Sequence, residues 1–260
     1  MQKVFLIVVS IYLLVCLVVY FTQDYILFQR GALANDYQYE IDGDYQELTL
    51  GEDQLHHAVH IKKADPDGII VYFHGNRDSL KRWIRLTRNL NRYNYDLLLL
   101  EYPEYGKSKA KLSQHEIENL AQSGYEYANQ FFDSDQIVIF GRSIGTGPAS
   151  LLASNKPSRA VVLETPYYSL SDLLTRYLFL LPRNWLINYQ FDNHANLLNL
   201  GVPIILLHGT ADQIIPIGMA DRLAEALGEK ANYVVIKGGR HHNLSDYEEY
   251  WDTLDTIFLN

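Results

Sequence analysis

From about residue 45 onward, short apolar runs alternate with segments of helical period, which restricts the chain to few folds. Two of the runs alternate at period two and predict an antiparallel strand pair, at residues 46–50 and 55–63. The other runs are continuously apolar, as in strands buried on both faces, at residues 69–73, 96–100, 136–140, 160–163, 203–207 and 232–236. The intervening segments predict helices at residues 79–90, 113–131, 144–153, 217–227 and 247–258. Such alternation is typical of an α/β protein with a mostly parallel sheet covered on both faces.

A single folded body over residues 31–260 is predicted, because no repeat, proline-rich linker or charge block divides it. Residues 165–200 depart from the alternation, since they are apolar and aromatic and lie between two predicted strands. This insertion could be a lid over a site or a set of extra core helices, and we favour the lid.

The N-terminus carries a second strong signal, because residues 4–21 contain no charged side chain. As a helix this run would be about 27 Å long, close to the thickness of the hydrocarbon layer of a membrane. A cleaved signal peptide would have a shorter apolar core and a small-residue cleavage site, which is missing after residue 21. A lipoprotein signal acylated at Cys16 would need a small residue where Val15 stands. We therefore expect residues 1–30 to form an uncleaved membrane anchor and its juxtamembrane segment.

The charges that flank the apolar run give its orientation. Lys3 and the terminal amine lie on the short side of the run, and Arg30 lies on the other side. This asymmetry predicts a cytoplasmic N-terminus and a body on the non-cytoplasmic face. The body is acidic and is not attracted to anionic lipid, so the anchor must provide the tether.

Composition argues against nucleic-acid binding and excludes two kinds of cysteine-based site. The chain has 22 basic and 31 acidic side chains, so its formal net charge is −9. Nucleic-acid binding needs a basic face that meets phosphates, and this balance argues against it. Cys16 is the only cysteine, which excludes an intrachain disulfide and a zinc site built on several thiolates.

The segment Gly141-Arg142-Ser143-Ile144-Gly145 has the pattern G-x-S-x-G directly between a predicted strand and a predicted helix. Small residues at this junction allow a sharp turn that exposes the serine hydroxyl at the carboxyl end of the strand. The helix N-terminus directs backbone N–H groups toward negative charge that develops there. Ser143 is therefore a candidate nucleophile.

A serine nucleophile needs a base and an orienting carboxylate, and in this arrangement they follow in the order acid, then histidine. Asp212 lies just past a predicted strand and is the candidate acid. Glu164 and Asp172 follow another strand end and are weaker alternatives. Two adjacent residues, His241 and His242, follow the last predicted strand, and either could be the base.

The loop after the strand at residues 69–73 is expected to supply one backbone donor to an oxyanion, and the residue after the nucleophile supplies the other. The candidates are the N–H groups of Asn76 and Ile144. Each such donor is typically worth about two to three orders of magnitude in turnover.

Three histidines share the predicted strand at residues 55–63, namely His56, His57 and His60. We do not expect a metal site there, because no cysteine or carboxylate pattern accompanies them. The sequence also has no phosphate loop and no dinucleotide fingerprint. No metal or cofactor is therefore predicted.

Together these motifs resemble the α/β-hydrolase superfamily, and within it the membrane-associated Bem46-like group. The resemblance rests on five ordered segments, H-G-N from His74, E-Y-P-E-Y-G-K-S from Glu101, G-R-S-I-G from Gly141, H-G-T-A-D-Q-I-I-P from His208 and G-G-R-H-H-N-L from Gly238. It covers roughly residues 25–260. Glu101 and Glu104 depart from the commoner Asp and Gly. A gapless alignment with the group places its catalytic histidine at His241, with His242 as the alternative.

The resemblance implies a mostly parallel eight-stranded α/β-hydrolase sheet with helices on both faces and a short lid insertion. It also implies a serine hydrolase that cleaves carboxylic ester or thioester bonds through an acyl-enzyme on Ser143. The apolar residues 178–185 and the anchor suggest a lipid-like acyl substrate. The alternatives are a serine peptidase or amidase, and a non-catalytic, membrane-tethered binding protein on the same fold.

Overall fold

The computed structural model describes residues 1–178, 180–182 and 186–259 of the chain. The strands are β1 (Gln29–Arg30), β2 (Tyr45–Leu50), β3 (His56–Ile61), β4 (Gly68–Phe73), β5 (Arg77–Asp78), β6 (Tyr95–Glu101), β7 (Ile137–Arg142), β8 (Ala160–Glu164), β9 (Ile204–Gly209) and β10 (Ala231–Ile236). The α-helices are α1 (Gln2–Leu27), α2 (Leu80–Thr87), α3 (Gln114–Ala128), α4 (Thr146–Asn155), α5 (Leu170–Leu178), α6 (Asn193–Leu197), α7 (Ile217–Leu227) and α8 (Glu248–Phe258).

Within the described ranges, eight strands form one sheet in the order β10-β9-β8-β7-β4-β6-β3-β2. All neighbouring strands are parallel except at β3, which is antiparallel to both β6 and β2. The predicted antiparallel pair and the mostly parallel eight-stranded sheet are therefore confirmed. Because six neighbouring strands run in one direction, their carboxyl ends, and the loops that follow them, meet at one edge of the sheet.

Period-two alternation divides the core into two layers. In β4, Ile69, Val71 and Phe73 face one layer, whereas Ile70 and Tyr72 face the other. The first layer is covered by residues of α3, α4, α5, α6 and α7, and the second by residues of α2 and α8. The helices thus cover both faces of the sheet, as the continuous apolar runs in its strands predict.

Strands β1 and β5 form a separate two-stranded parallel pair, in which Gln29 lies opposite Arg77, and no sequence pattern predicted it. This pairing brings the residues after α1 to the loop that follows β4. The main sheet does not contain it, and two-residue strands leave no periodic signal in a sequence.

Helix α1 is the only helix among the described residues that is long and apolar enough to cross a membrane. Its most apolar stretch is exposed, with many large side chains such as Phe5, Leu13 and Leu14 more than half accessible. Gln23 and Leu27 near its C-terminal end are nevertheless buried against the body. The helix therefore projects from the body but ends inside it.

Replacing Leu163 by Ala should lower the free energy of unfolding by about 2–5 kcal/mol, because Leu163 is fully buried in central strand β8. Chemical denaturation of the detergent-solubilised protein would measure this. The matched control is Leu259→Ala, whose side chain is 66% exposed and whose loss should cost no more than about 0.5 kcal/mol. Equal costs at both positions would contradict the layered core.

Candidate active site

Ser143 lies at the turn between β7 and α4, with a backbone φ of 57°. This left-handed conformation is uncommon for a residue with a side chain, and the neighbours must be small to permit it. A Cβ added at Gly141 would lie 2.5 Å from the carbonyl oxygen of Gly145. A Cβ added at Gly145 would overlap the carbonyl oxygens of Phe73 and His74. The two glycines of the motif are therefore required by close backbone approach.

The imidazole of His241 lies between Ser143 and Asp212. Its Nε2 is 2.9 Å from the Ser143 Oγ, and its Nδ1 is 2.7 Å from the Asp212 Oδ2. All three side chains are at least nine-tenths buried. The structure thus brings together the serine, the first-choice acid and the first-choice histidine from three separate loops at the carboxyl edge of the sheet.

Local hydrogen bonds set the charge of Asp212. Its Oδ1 accepts the backbone N–H groups of Ile214 and Ile215, at 2.8 and 2.9 Å. Burial raises the pKa of Asp212, but hydrogen bonds from His241 and from these two N–H groups outweigh it and hold the pKa below its usual value. An ionised Asp212 can only accept, so Nδ1 of His241 is the donor in this contact, and in the neutral imidazole Nε2 is then the acceptor for the serine hydroxyl.

The alternative histidine occupies a different position. His242 lines the cavity beside His241, with the two rings perpendicular and their centroids 4.8 Å apart. Burial, followed by repulsion from His241 and nearby arginines, lowers the pKa of His242 to about 4. Among the described contacts, no hydrogen bond joins His242 to Ser143 or Asp212.

The alternative acids are paired elsewhere. Glu164 forms a buried ion pair with Arg142, at 3.1 Å, and accepts a hydrogen bond from Tyr250. Asp172 pairs with Arg222 near the surface, at 3.2 Å. Neither carboxylate is placed against the imidazole.

Arg142 is a site residue that sequence reasoning missed. Its guanidinium donates to the backbone carbonyl of His241 at 3.3 Å while Glu164 neutralises it. It therefore links the turn that carries Ser143 to the loop that carries His241. Its place as the second residue of G-R-S-I-G is visible in the sequence, but its partner Glu164 lies on the neighbouring strand.

The loop after β4 is held in a defined conformation around Asn76. The Asn76 carbonyl accepts hydrogen bonds from the Gln29 N–H and the Tyr105 hydroxyl. The preceding carbonyl, of Gly75, accepts from Nδ1 of His74 at 2.6 Å. In a trans peptide the N–H of Asn76 points opposite to that carbonyl, so His74 fixes the direction of the candidate oxyanion donor.

His74 is neutral at physiological pH. Its ring is fully buried among Trp83, Tyr102 and Tyr105, and burial lowers its pKa to about 4. A neutral imidazole has a single N–H, and the contact with Gly75 assigns it to Nδ1.

A cavity of about 250 Å³ opens beside the Ser143 hydroxyl. Its lining includes the candidate oxyanion residues Asn76 and Ile144. Its other polar lining residues are Gln29, Arg77, His241 and His242. Much of the remaining wall is apolar and is formed by Ile26, Leu27, Tyr167, Leu170, Leu173 and Ile214. A lining of this mixed kind can hold both a polar reacting group and an apolar chain.

The insertion at residues 165–200 contributes to this wall through Leu170 and Leu173 of α5. It also contains α6, and a single β-bridge between Ser169 and Asp192 closes its base. Residue 179 and residues 183–185, part of the apolar stretch at 178–185, lie outside the described residues. Whether the insertion acts as a lid stays a prediction.

Each of the three histidines in β3 has a carboxylate partner. His56 contacts Glu116 at 3.2 Å, and His60 contacts Asp96 at 2.8 Å. His57 lies between Glu101 and Glu47, at 2.7 and 3.0 Å. The described residues contain no group of three or more His, Cys, Asp or Glu side chains arranged to hold a metal ion.

Glu101 was noted from sequence only as a departure from a motif, but it organises the loops on both sides of it. It is fully buried and accepts the backbone N–H groups of Leu80 and Lys107 as well as the contact from His57. Burial raises its pKa, and these hydrogen bonds together with the charge of His57 lower it by more. The residue therefore helps to hold the loop after β6 and the start of α2 in place.

The profile of the alpha/beta hydrolase fold family matches residues 68–196. An esterase of Pyrococcus furiosus superposes with a TM-score of 0.69 at 17% identity, over 90% of this chain and 97% of that one. A monoacylglycerol lipase of Paleococcus ferrophilus superposes with a TM-score of 0.57 at 19% identity, over 78% and 97% of the two chains. This chain has the α/β-hydrolase fold.

Relatives found by sequence match this chain at low identity and over part of their length. An uncharacterized protein of Mycobacterium tuberculosis is 26% identical over 176 residues, covering 67% of this chain. The match spans only 63% of that relative's own length. An alpha/beta hydrolase domain-containing protein of Arabidopsis thaliana is 27% identical over 210 residues, covering 71% of this chain and 67% of the relative. The narrower likeness to the Bem46-like group stays a prediction.

The low pKa of His74 predicts how stability changes with pH. The unfolded chain protonates this histidine near pH 6.5, whereas the folded protein does so only near pH 4. Below pH 6.5 the unfolded state binds more protons than the folded state. The free energy of unfolding therefore falls as the pH falls from 6.5 to about 4. Asparagine can donate to Gly75 but does not titrate, so His74→Asn should destabilise less at about pH 5 than at about pH 7.5, by about 2 kcal/mol.

Denaturant unfolding of both proteins at the two pH values measures this difference. The other buried histidines are present in both proteins and cancel in the comparison. An equal destabilisation at both pH values would show that the pKa of His74 is not lowered by folding.

Proposed function

We propose that this protein is a serine hydrolase that cleaves carboxylic esters or thioesters through an acyl-enzyme on Ser143. The observation that carries the proposal is the continuous hydrogen-bonded line from the Ser143 hydroxyl through His241 to Asp212. Acyl transfer through a serine requires a nucleophile, a base and an orienting carboxylate in this geometry. The fold and its esterase and lipase neighbours support a hydrolase.

In the proposed reaction, the Ser143 Oγ attacks the acyl carbonyl while Nε2 of His241 takes its proton. The bond from carbonyl carbon to leaving oxygen or sulfur then breaks, and the imidazolium returns the proton to the departing alcohol or thiol. Water repeats the sequence on the acyl-enzyme and releases a carboxylic acid and free Ser143. Asp212 stays ionised throughout and stabilises the imidazolium.

The backbone N–H groups of Asn76 and Ile144 are proposed to stabilise the tetrahedral oxyanion. Both residues border the cavity next to the serine. The hydrogen bonds to the carbonyls of Gly75 and Asn76 hold the first donor in place before substrate arrives. Donors oriented in advance need no reorganisation as charge develops, which makes this kind of stabilisation effective.

We also propose that α1 is an uncleaved membrane anchor, with the N-terminus cytoplasmic and residues 31–260 on the other face. The burial of Gln23 and Leu27 against the body supports retention, because a cleaved segment would leave those contacts unfilled. Lys3 on the short side of the helix supports the orientation.

Replacing Ser143 by Ala should abolish labelling by a fluorophosphonate probe and lower ester turnover by at least about a thousandfold, because the attacking oxygen is lost. His241→Asn should have a comparable effect. Asp212→Asn should lower kcat by about 10⁴ because the imidazole then favours the wrong tautomer. The assays use the full-length protein in detergent, with a soluble short-chain ester as substrate.

The matched control is His242→Asn, which changes the neighbouring histidine and should keep both labelling and turnover. Loss in His242→Asn with retention in His241→Asn would reassign the base. A Ser143→Ala protein with near-normal turnover would refute the proposed mechanism. Cleavage of amides without a preference for esters would favour a peptidase or amidase, and a folded wild type that neither labels nor turns over would favour a binding protein.

A further inference from the structure

The wall of the cavity includes the end of the apolar N-terminal helix. Ile26 and Leu27, the last two residues of α1, line the same space as Ser143 and His241. Leu27 is buried, whereas Ile26 is 60% exposed and so lies at the mouth of the cavity. Tethering alone does not require that the helix end beside Ser143.

Specific hydrogen bonds hold this end of α1 in place. The Gln23 side chain donates to the carbonyl of Leu186 and accepts the backbone N–H of Asn188, at 3.2 and 2.7 Å. The adjacent Asp24 accepts the hydroxyl of Tyr189 at 2.9 Å. Gln23 is almost fully buried, so these bonds satisfy a polar group that would otherwise be costly to bury. The position of α1 relative to the cavity is therefore fixed by the insertion.

A second contact joins α1 and the insertion much farther from the body. The Tyr12 hydroxyl donates to the carbonyl of Leu180 at 3.2 Å. Tyr12 lies eleven residues before Gln23, which is about 17 Å along a helix. The side chain of Leu180 is 71% exposed, and so are those of Phe21 and Tyr25 on α1. The insertion thus places the exposed side chain of Leu180 level with the middle of α1.

We infer that the cavity opens onto the membrane crossed by α1 and takes the acyl chain of an ester-linked lipid directly from that bilayer. The end of α1 forms one wall, and Leu180 enters the hydrocarbon layer beside Tyr12. The inference rests on the proposed function and names its substrate class.

The route by which the acyl chain enters determines whether it must first be exposed to water. An exposed apolar patch that is continuous with a membrane-spanning helix is covered by lipid, because no water is present at that depth to hydrate it. A lipid chain that passes along α1 and Ile26 reaches a wall formed largely by apolar residues such as Leu27, Leu170 and Leu173, with Gln29 and Arg77 also on the border of the cavity. A chain that entered through water would first have to be hydrated, which opposes entry by the hydrophobic effect.

The test compares Ile26→Glu with Tyr25→Glu in full-length protein reconstituted into vesicles of diether phosphatidylcholine, which has no ester to cleave. Both variants place one carboxylate at nearly the same depth, but Tyr25 is not among the described residues that line the cavity. The substrates are a fluorogenic palmitate ester dissolved in the vesicles and the corresponding butyrate ester in water.

Ile26→Glu should lower the ratio of palmitate to butyrate hydrolysis by at least about tenfold, because a hydrocarbon chain that covers the carboxylate must remove it from water. Tyr25→Glu should leave this ratio close to that of the wild type. Equal ratios in the two variants would overturn the inference, as would a wild type that cleaves butyrate but not membrane-held palmitate. A wild type inactive on both esters would instead refute the proposed function.

The depth of Leu180 gives an independent measurement. In a Cys16→Ala background, cysteine introduced by Leu180→Cys or Leu259→Cys is labelled with a fluorophore and exposed to lipids brominated in their acyl chains. Leu259 is similarly exposed but follows Phe258, which packs on Tyr95 at the opposite edge of the sheet. The label at position 180 should lose at least about half of its fluorescence, whereas the label at position 259 should keep it. Equal quenching would overturn the placement in the bilayer.

Discussion

The backbone conformation of Ser143 is the constraint around which the rest of the site is arranged. A φ of 57° at the end of β7 turns the chain sharply from the central strand into α4 and points the hydroxyl out of the edge of the sheet. The turn exists only because Gly141 and Gly145 allow backbone atoms to approach where a side chain would collide. A conformation of this kind typically costs about 1–3 kcal/mol and persists only when its surroundings determine it. Here the surroundings are fully buried strands on both sides of β7.

Buried charges near the serine are paired, and this pairing links the loops of the site. Arg142 is neutralised by Glu164 and donates to the backbone of His241, so one guanidinium joins two strand ends to the loop that carries the base. Glu101 joins β6, the start of α2 and the loop at Lys107 in the same way. His74 is held neutral by burial and fixes the peptide before Asn76. Removing one partner of an ion pair such as Arg142–Glu164 leaves the charge of the other partner uncompensated in a dry interior. These buried groups therefore keep the loops in one arrangement.

The sequence predicted the features that depend on local pattern. The runs around β4 and β7 are rich in Ile and Val and have no polar face. The sequence alone therefore predicts that they are strands and that both of their faces are buried. The turn at Ser143 was predicted for the same reason, because its glycines and its place between strand and helix are contiguous in sequence. These predictions are confirmed for the fold, whereas the catalytic roles of Ser143, Asp212 and His241 remain proposals.

Features that depend on distant partners could not be derived in this way. The spacings of His241 and His242 to any motif differ by only one residue, and the folded loop places His241 against Asp212. Arg142 and Glu164 are 22 positions apart, and a parallel register brings them together. Gln23 resembles the polar end of an anchor in the sequence, and its burial depends on main-chain groups of Leu186 and Asn188 more than 160 residues away.

The join between helix and body determines how the two can move relative to each other. An anchor that ends in a flexible linker leaves the orientation of its domain free. In this chain Phe28 alone separates the end of α1 from β1, and its ring packs between Tyr102 and Tyr189 in the core. Gln29 then pairs with the loop that carries Asn76. If α1 spans a bilayer, its axis therefore fixes both the height of Ser143 above the hydrocarbon layer and the direction in which the cavity faces, because no residue between them is free to act as a joint.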